Sequence, residues 1–154
     1  GLTLDLLPLT QFIGQAIVID CRHLRPRESI TMAEINRAGE DVEAADFLLF
    51  NTGWDKFLGS EEYFGDYPCI DDEVLEFISS KNYKGIGFDV MGIDPISDIS
   101  LYRHKKLFRN KQIINIENLT NLDQCGSGLF NFSCFPLKIK NADGAPTRAV
   151  AWWK

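Results

Sequence analysis

The 154-residue chain predicts an α/β or α+β domain, with mixed β-sheets and flanking helices. Two observations carry that prediction. Short apolar, β-branched runs alternate with helix-start signatures up to Ile116, and two further strand-like runs then follow each other around a turn signal. At 45% hydrophobic residues, the chain holds enough apolar mass for one core, so residues 1–154 are read as a single domain.

Ala16 to Asp20 (AIVID) is the first expected buried strand, and Cys21 to Glu28, with Pro26, a loop. Thr31 followed by Glu34 is a capping box, in which hydroxyl and carboxylate each satisfy a free backbone N–H. A short helix from Met32 to about Arg37 follows, closed by Gly39. Phe47 to Asn51 is a second strand, after which Thr52-Gly53 turns the chain and Trp54 emerges just past the strand end. Asp71 or Asp72 caps a helix carrying Val74, Leu75, Phe77 and Ile78 at helical spacing. Gly85 to Val90 is a third strand, whose glycines suggest close approach of another backbone. Asp98 is placed to cap a helix from Ile99 to about Arg109, with Leu101, His104 and Phe108 on one face. Gln112 to Ile116 is a fourth strand. Phe132 to Lys140 and Thr147 to Trp152 complete the set as a hairpin around Asp143-Gly144.

A net charge of −6 argues against nucleic-acid or anionic-membrane binding, which need clustered positive charge. The local exception, Arg103, His104, Lys105, Lys106, Arg109 and Lys111, is read as the solvated side of a helix. Cys21, Cys69, Cys125 and Cys134 form no C-x-x-C pair and are expected to be free thiols in a reducing compartment. No apolar run reaches membrane-spanning length, so a soluble, cytoplasmic protein is expected. The triplets at Asn118 and Asn131 match the N-glycosylation pattern but sit in apolar surroundings and carry little weight.

His104 and Glu117 draw attention on their own chemistry. An inward imidazole is either a hydrogen-bonded core group or a ligand. A carboxylate among the apolar residues of IINIENL is costly to bury unless paired or bound to a metal. Trp54 is either packing or the wall of an aromatic substrate's site. Asp89 and Asp94 read as loop-fixing and capping groups at least as readily as functional ones, and Asn118 and Asn121 as residues that tie down the loop after Glu117.

Several blocks together carry a resemblance: Gly1 to Val18, NTGW at Asn51 to Trp54, GFDVMGIDP at Gly87 to Pro95, His104, IENLTNL from Ile116, and FPLKIKNADGAPTRAV from Phe135 to Val150. They resemble the cyclase family of metal-dependent hydrolases, the kynurenine formamidase and isatin hydrolase type. The resemblance implies a swivelling β/β/α fold. It also implies metal-activated water acting on a C–N (amide, lactam or formamide) or ester bond of a small molecule, with zinc or manganese as cofactor, and a homo-oligomer. Carried over by position, it makes His104 and Glu117 metal ligands and no other residue a direct ligand. If a metal binds, Asp89, Asn118 and Asn121 are expected as supports behind them and Trp54 as a substrate contact, and otherwise as turn and packing residues. In the family most metal ligands lie in a segment His-x-Gly-Thr-His-x-Asp-x-Pro-x-His, which does not occur in these 154 residues. The chain by itself is therefore expected to be a poor catalyst, and the alternative is a catalytically inactive cyclase-fold binding or assembly module. Met91-Gly92 stands where the family pattern has Pro-Ser, which puts a polar pocket contact in doubt.

Overall fold

The computed structural model describes residues 2–109 and 112–153. Its centre is a six-stranded sheet in the order β6-β5-β3-β1-β7-β8, built from β1 (Ile13–Asp20), β3 (Phe47–Asn51), β5 (Gly85–Phe88), β6 (Ile114–Ile116), β7 (Phe130–Ser133) and β8 (Val150–Trp152). The first four run parallel, with Ala16 beside Phe47, Phe47 beside Gly85 and Gly85 beside Ile114. β7 pairs antiparallel with β1, and β8 with β7. A small parallel pair, β2 (Ser29–Ile30) and β4 (Cys69–Ile70), lies apart.

Period-2 alternation divides the apolar residues between two cores, one on each side of the sheet. Ile17, Ile19, Leu48, Phe50, Ile86 and Phe88 face helices α1 (Met32–Ala38), α2 (Asp41–Ala44), α3 (Asp72–Ser80) and α4 (Tyr102–Phe108). Ala16, Phe47, Leu49, Ile114, Ile116 and Phe132 face the other way, under Phe12, Leu119 and Leu122. β3, buried at every position, is therefore apolar from Phe47 to Phe50 and ends on the buried Asn51. α3 inserts Val74, Leu75 and Ile78, each fully buried and each stabilising the fold by about 1.5–3 kcal/mol relative to exposure.

The local signals are realised closely at α1 and α3. Glu34 Oε2 accepts the Thr31 N–H at 2.8 Å, the Thr31 hydroxyl accepts from Ala33, and Gly39 closes the helix with φ +86°. Asp71, not Asp72, caps α3 by accepting from Val74 N at 2.8 Å.

Four expectations need correction. First, α4 begins at Tyr102 rather than Ile99, because Asp98 closes a turn on Ser100 and Leu101 adopts φ +52°. The buried ridge of α4 is Leu107, and Leu101 and Phe108 are 49% and 43% exposed. Second, the strand after Leu129 ends at Ser133. Beyond it Cys134 still donates to the Phe12 carbonyl and Pro136 bridges Thr147, and the chain turns at Ile139–Ala142 with Asn141 at φ +59°, ahead of Asp143-Gly144. Third, β5's glycines admit neighbouring side chains, not a backbone: a Cβ at Gly87 would stand 2.7 Å from Leu119 Cδ1 and 2.8 Å from Leu49 Cδ2. Fourth, the basic residues of α4 are not all solvated. Arg103 donates to the Ile70 carbonyl at 2.7 Å and Lys106 pairs with Glu76 and Asp72 of α3. Lys111 lies outside the described residues.

All four cysteines are free thiols. Among the described residues, no helix is long and apolar enough to cross a membrane.

Candidate functional site

The parallel strands β5 and β6 end side by side, and α4 lies against them. On β6, Ile114 and Ile116 turn into the core beneath the sheet, so Asn115 and the following Glu117 share the opposite side, toward α4. His104 sits on the first turn of α4, with its side chain 25% exposed, while that of Glu117 is 34% exposed. Glu117 is thus not the buried carboxylate its apolar neighbours suggest, since the strand ends there and its side chain opens to solvent.

Three side chains form a line. His104 Nδ1 lies 2.6 Å from Asp94 Oδ2, and His104 Nε2 lies 3.1 Å from Glu117 Oε1. A carboxylate only accepts, so Nδ1 is the donor to Asp94, which leaves Nε2 facing Glu117. Two lone pairs at that separation repel, and the contact is favourable when a proton or a cation lies between them. The hydrogen bond to Glu117, joined by Asp94 and opposed by burial, raises the His104 pKa above its ordinary value.

Asp94 does more than orient the ring. It accepts the backbone N–H groups of Arg103 at 2.7 Å and His104 at 3.1 Å, satisfying donors that the late start of α4 leaves free. Its own loop is held where the Tyr67 hydroxyl donates to the Asp94 carbonyl at 2.9 Å. Asn115 Nδ2 donates to Glu117 Oε1 at 2.8 Å and lies 3.3 Å from His104 Nε2. Gly92 completes the wall: a Cβ there would stand 3.1 Å from Glu117 Oε1 and 3.4 Å from His104 Cε1.

The remaining candidates surround this line without joining it. Asp89 is 1% exposed and accepts from Thr52 N, Thr52 Oγ1 and Trp54 N, so it fixes the turn after β3. Burial pushes its carboxyl above the usual range, against the hydrogen bonds from Thr52 and Trp54. Trp54 is 7% exposed, donates its indole N–H to the Tyr63 carbonyl at 3.0 Å, and packs against Phe57 and Tyr67. It stands behind a groove of about 660 Å³ whose walls include Leu58, Tyr63, Phe64, Met91, Glu117 and Asn118. Asn118, at φ +59°, accepts the Tyr63 hydroxyl at 2.7 Å, and its N–H reaches the Val90 carbonyl. Asn121, at φ +62°, donates its N–H to Asp55. Among the described residues no cluster of three or more His, Cys, Asp or Glu side chains is arranged to hold a metal ion.

Sequence reasoning passed over Asn115 and gave Asp94 no special standing. Alternation along IINIE does put Asn115 on the side of Glu117, so that signal was available. Asp94 acts across nine and ten residues, outside the local spacing of cap signatures.

The defining arrangement is a mixed α/β sheet with a histidine clamped between two carboxylates at the ends of its parallel strands. Residues 1–95 match the family model Cyclase, described as "Putative cyclase". The chain belongs to the cyclase family. It is 32% identical over 145 residues to a kynurenine formamidase of Bacillus thuringiensis, an alignment covering 94% of this chain and 65% of that protein, so the chain spans just under two thirds of its relative's length. The fold superposes on isatin hydrolase A of Labrenzia aggregata bound to benzyl benzoate with a TM-score of 0.81 at 25% identity, covering 97% of this chain and 64% of the other. A structure described as a potential metal-dependent hydrolase with cyclase activity gives 0.79 at 26% identity, covering 98% and 70%.

Proposed function

We propose that this chain is part of a metal-dependent hydrolase that opens a C–N or ester bond of a small carbonyl compound, with His104 and Glu117 as metal ligands. The observation that carries the reading is the Asp94–His104–Glu117 line. A second carboxylate holding the far nitrogen of an imidazole is the usual support of a metal-bound histidine, because it fixes the tautomer and raises the ring's basicity. Imidazole and carboxylate together suit zinc or manganese. When bound, such an ion lowers the pKa of water and polarises a carbonyl.

The chain's own residues have separate tasks in this reading. Asp94 holds the ring and the helix that bears it, and Tyr63, Phe64 and Met91 offer an apolar wall beside Glu117 for a flat substrate. Relatives named for kynurenine formamidase and isatin hydrolase activity support an aromatic amide or lactam as that substrate.

Metal content after equilibration with zinc or manganese tests the assignment. Bound ion in the parent chain, lost in His104→Ala and in Glu117→Ala, is expected. Equal, negligible metal in all three proteins sinks it. A second reading, a cyclase-fold binding module without turnover, is favoured by one observation: among the described residues, two ligands of the His and carboxylate type fall short of the three that a catalytic zinc generally takes. Metal-loaded chain that retains an aromatic amide without hydrolysing it is the expected result for that reading.

A further inference from the structure

The Asn115 side chain is held in an unusual way. Its Nδ2 points at the His104–Glu117 pair, while its Oδ1 is buried without a hydrogen-bond partner among the described residues. Half a turn about the terminal side-chain bond exchanges the two ends and leaves the rest of the residue in place. The buried Oδ1 holds no hydrogen bond that turning would break, so what the outer end meets bears on the choice: a bare carboxylate takes the N–H, and a cation takes the oxygen.

We infer that Asn115 is a third donor of the metal centre, binding through Oδ1 beside His104 Nε2 and Glu117 Oε1. The assignment rests on the metal reading above. Its support is the triangle these positions make, with sides of 2.8 Å from Asn115 to Glu117, 3.1 Å from Glu117 to His104, and 3.3 Å from His104 to Asn115. Donors about 2.1 Å from a zinc or manganese ion stand roughly 3.0 Å apart at right angles and roughly 3.4 Å apart at the tetrahedral angle. The three positions therefore match one face of a coordination polyhedron. Gly92 keeps the side of this face clear, since a Cβ there would crowd Glu117 and His104. The strand supplies the rest: Asn115 and Glu117 are two residues apart on one side of β6, so both reach the same point.

The test is titration of the purified chain with manganese(II) by calorimetry, and with cobalt(II) by its visible absorption, for the parent, Asn115→Leu, Asn115→Asp, His104→Ala and Glu117→Ala. Asn115→Leu keeps the bulk and removes the oxygen, and weakens manganese roughly 10–100-fold with a shifted cobalt band. Asn115→Asp keeps an oxygen donor and adds charge, and binds at least as tightly as the parent. If Asn115 only steadies Glu117 through its N–H, the aspartate repels Glu117 and weakens binding as much as the leucine does, which overturns the assignment. Binding within twofold of the parent in both Asn115 variants also overturns it, and if His104→Ala and Glu117→Ala still abolish binding, the metal reading survives that failure. A parent chain that takes up no more ion than His104→Ala overturns both. Thermal unfolding of the metal-free proteins separates loss of ligand from loss of fold.

Discussion

Asp94 and His104 are joined twice: the carboxylate takes the ring Nδ1 at 2.6 Å and the same residue's backbone N–H at 3.1 Å. The ring is thus oriented by the loop after β5, and its own helix follows. Asp94→Asn leaves one end of the side chain facing a donor with an N–H of its own. A loss of about 1–3 kcal/mol in urea unfolding is expected. Metal affinity, read by manganese titration, is expected to fall roughly 10–100-fold. Undiminished binding in a folded variant would remove Asp94 from the site.

Gly92 separates packing from function. In Gly92→Ala the new methyl stands 3.1 Å from Glu117 Oε1, and the carboxylate, a third exposed, swings aside. The fold is expected to lose only about 1 kcal/mol, the low end for overpacking. Metal binding is expected to weaken roughly 10-fold, as for loss of a supporting contact. Equal losses in unfolding and binding would mean that the glycine serves the fold alone.

Asp89 supplies a pH-dependent contribution. Its folded pKa lies above the ordinary 3.8 because the carboxyl is buried. A raised carboxyl binds protons better in the folded state, so its contribution is fully present below the unfolded value and is lost as pH rises through the folded one. Asp89→Asn removes this term, along with acceptance from either Thr52 or Trp54, and is expected to cost about 1–3 kcal/mol near neutrality. Between about pH 7 and pH 4 the difference in unfolding free energy should move further in the parent's favour. A constant difference across that range would contradict the assignment.

The thiols should react in a fixed order. Burial pushes Cys69 and Cys134 up to about 12 and Cys21 higher still, while Cys125, half-buried, is raised less. Alkylation of the native protein followed by peptide mapping should modify Cys125 first, because the thiolate is the nucleophile and must be reached. Prior labelling of Cys21 or Cys134 would mean that the cores open more readily than their packing implies.

Much of the fold was legible because its signals are local. Thr31 with Glu34, Asp71 with Val74, and the run Phe47 to Asn51 each specify their element within a few residues. The start of α4 was not legible, since it is decided by Asp94 from nine residues upstream and by a left-handed Leu101. The late hairpin was overextended because its alternation continues past Ser133, while pairing stops where β8 supplies only three residues. At the site, the sequence singled out His104 and Glu117, which the fold brings into contact. It named Asp89 and not Asp94 as a support: both are aspartates after one strand, and only the tertiary arrangement gives Asp89 to a turn and Asp94 to the histidine.

The start of α4 also offers a view of the site from the backbone. The amide protons of Arg103 and His104 are donated to the carboxylate that steadies the imidazole, at the start of a helix of seven residues. Their hydrogen-exchange rates should therefore slow when an ion settles on the far side of the ring, while those of α3 stay unchanged. A chemical event at a side chain would be recorded as the lifetime of two main-chain hydrogen bonds.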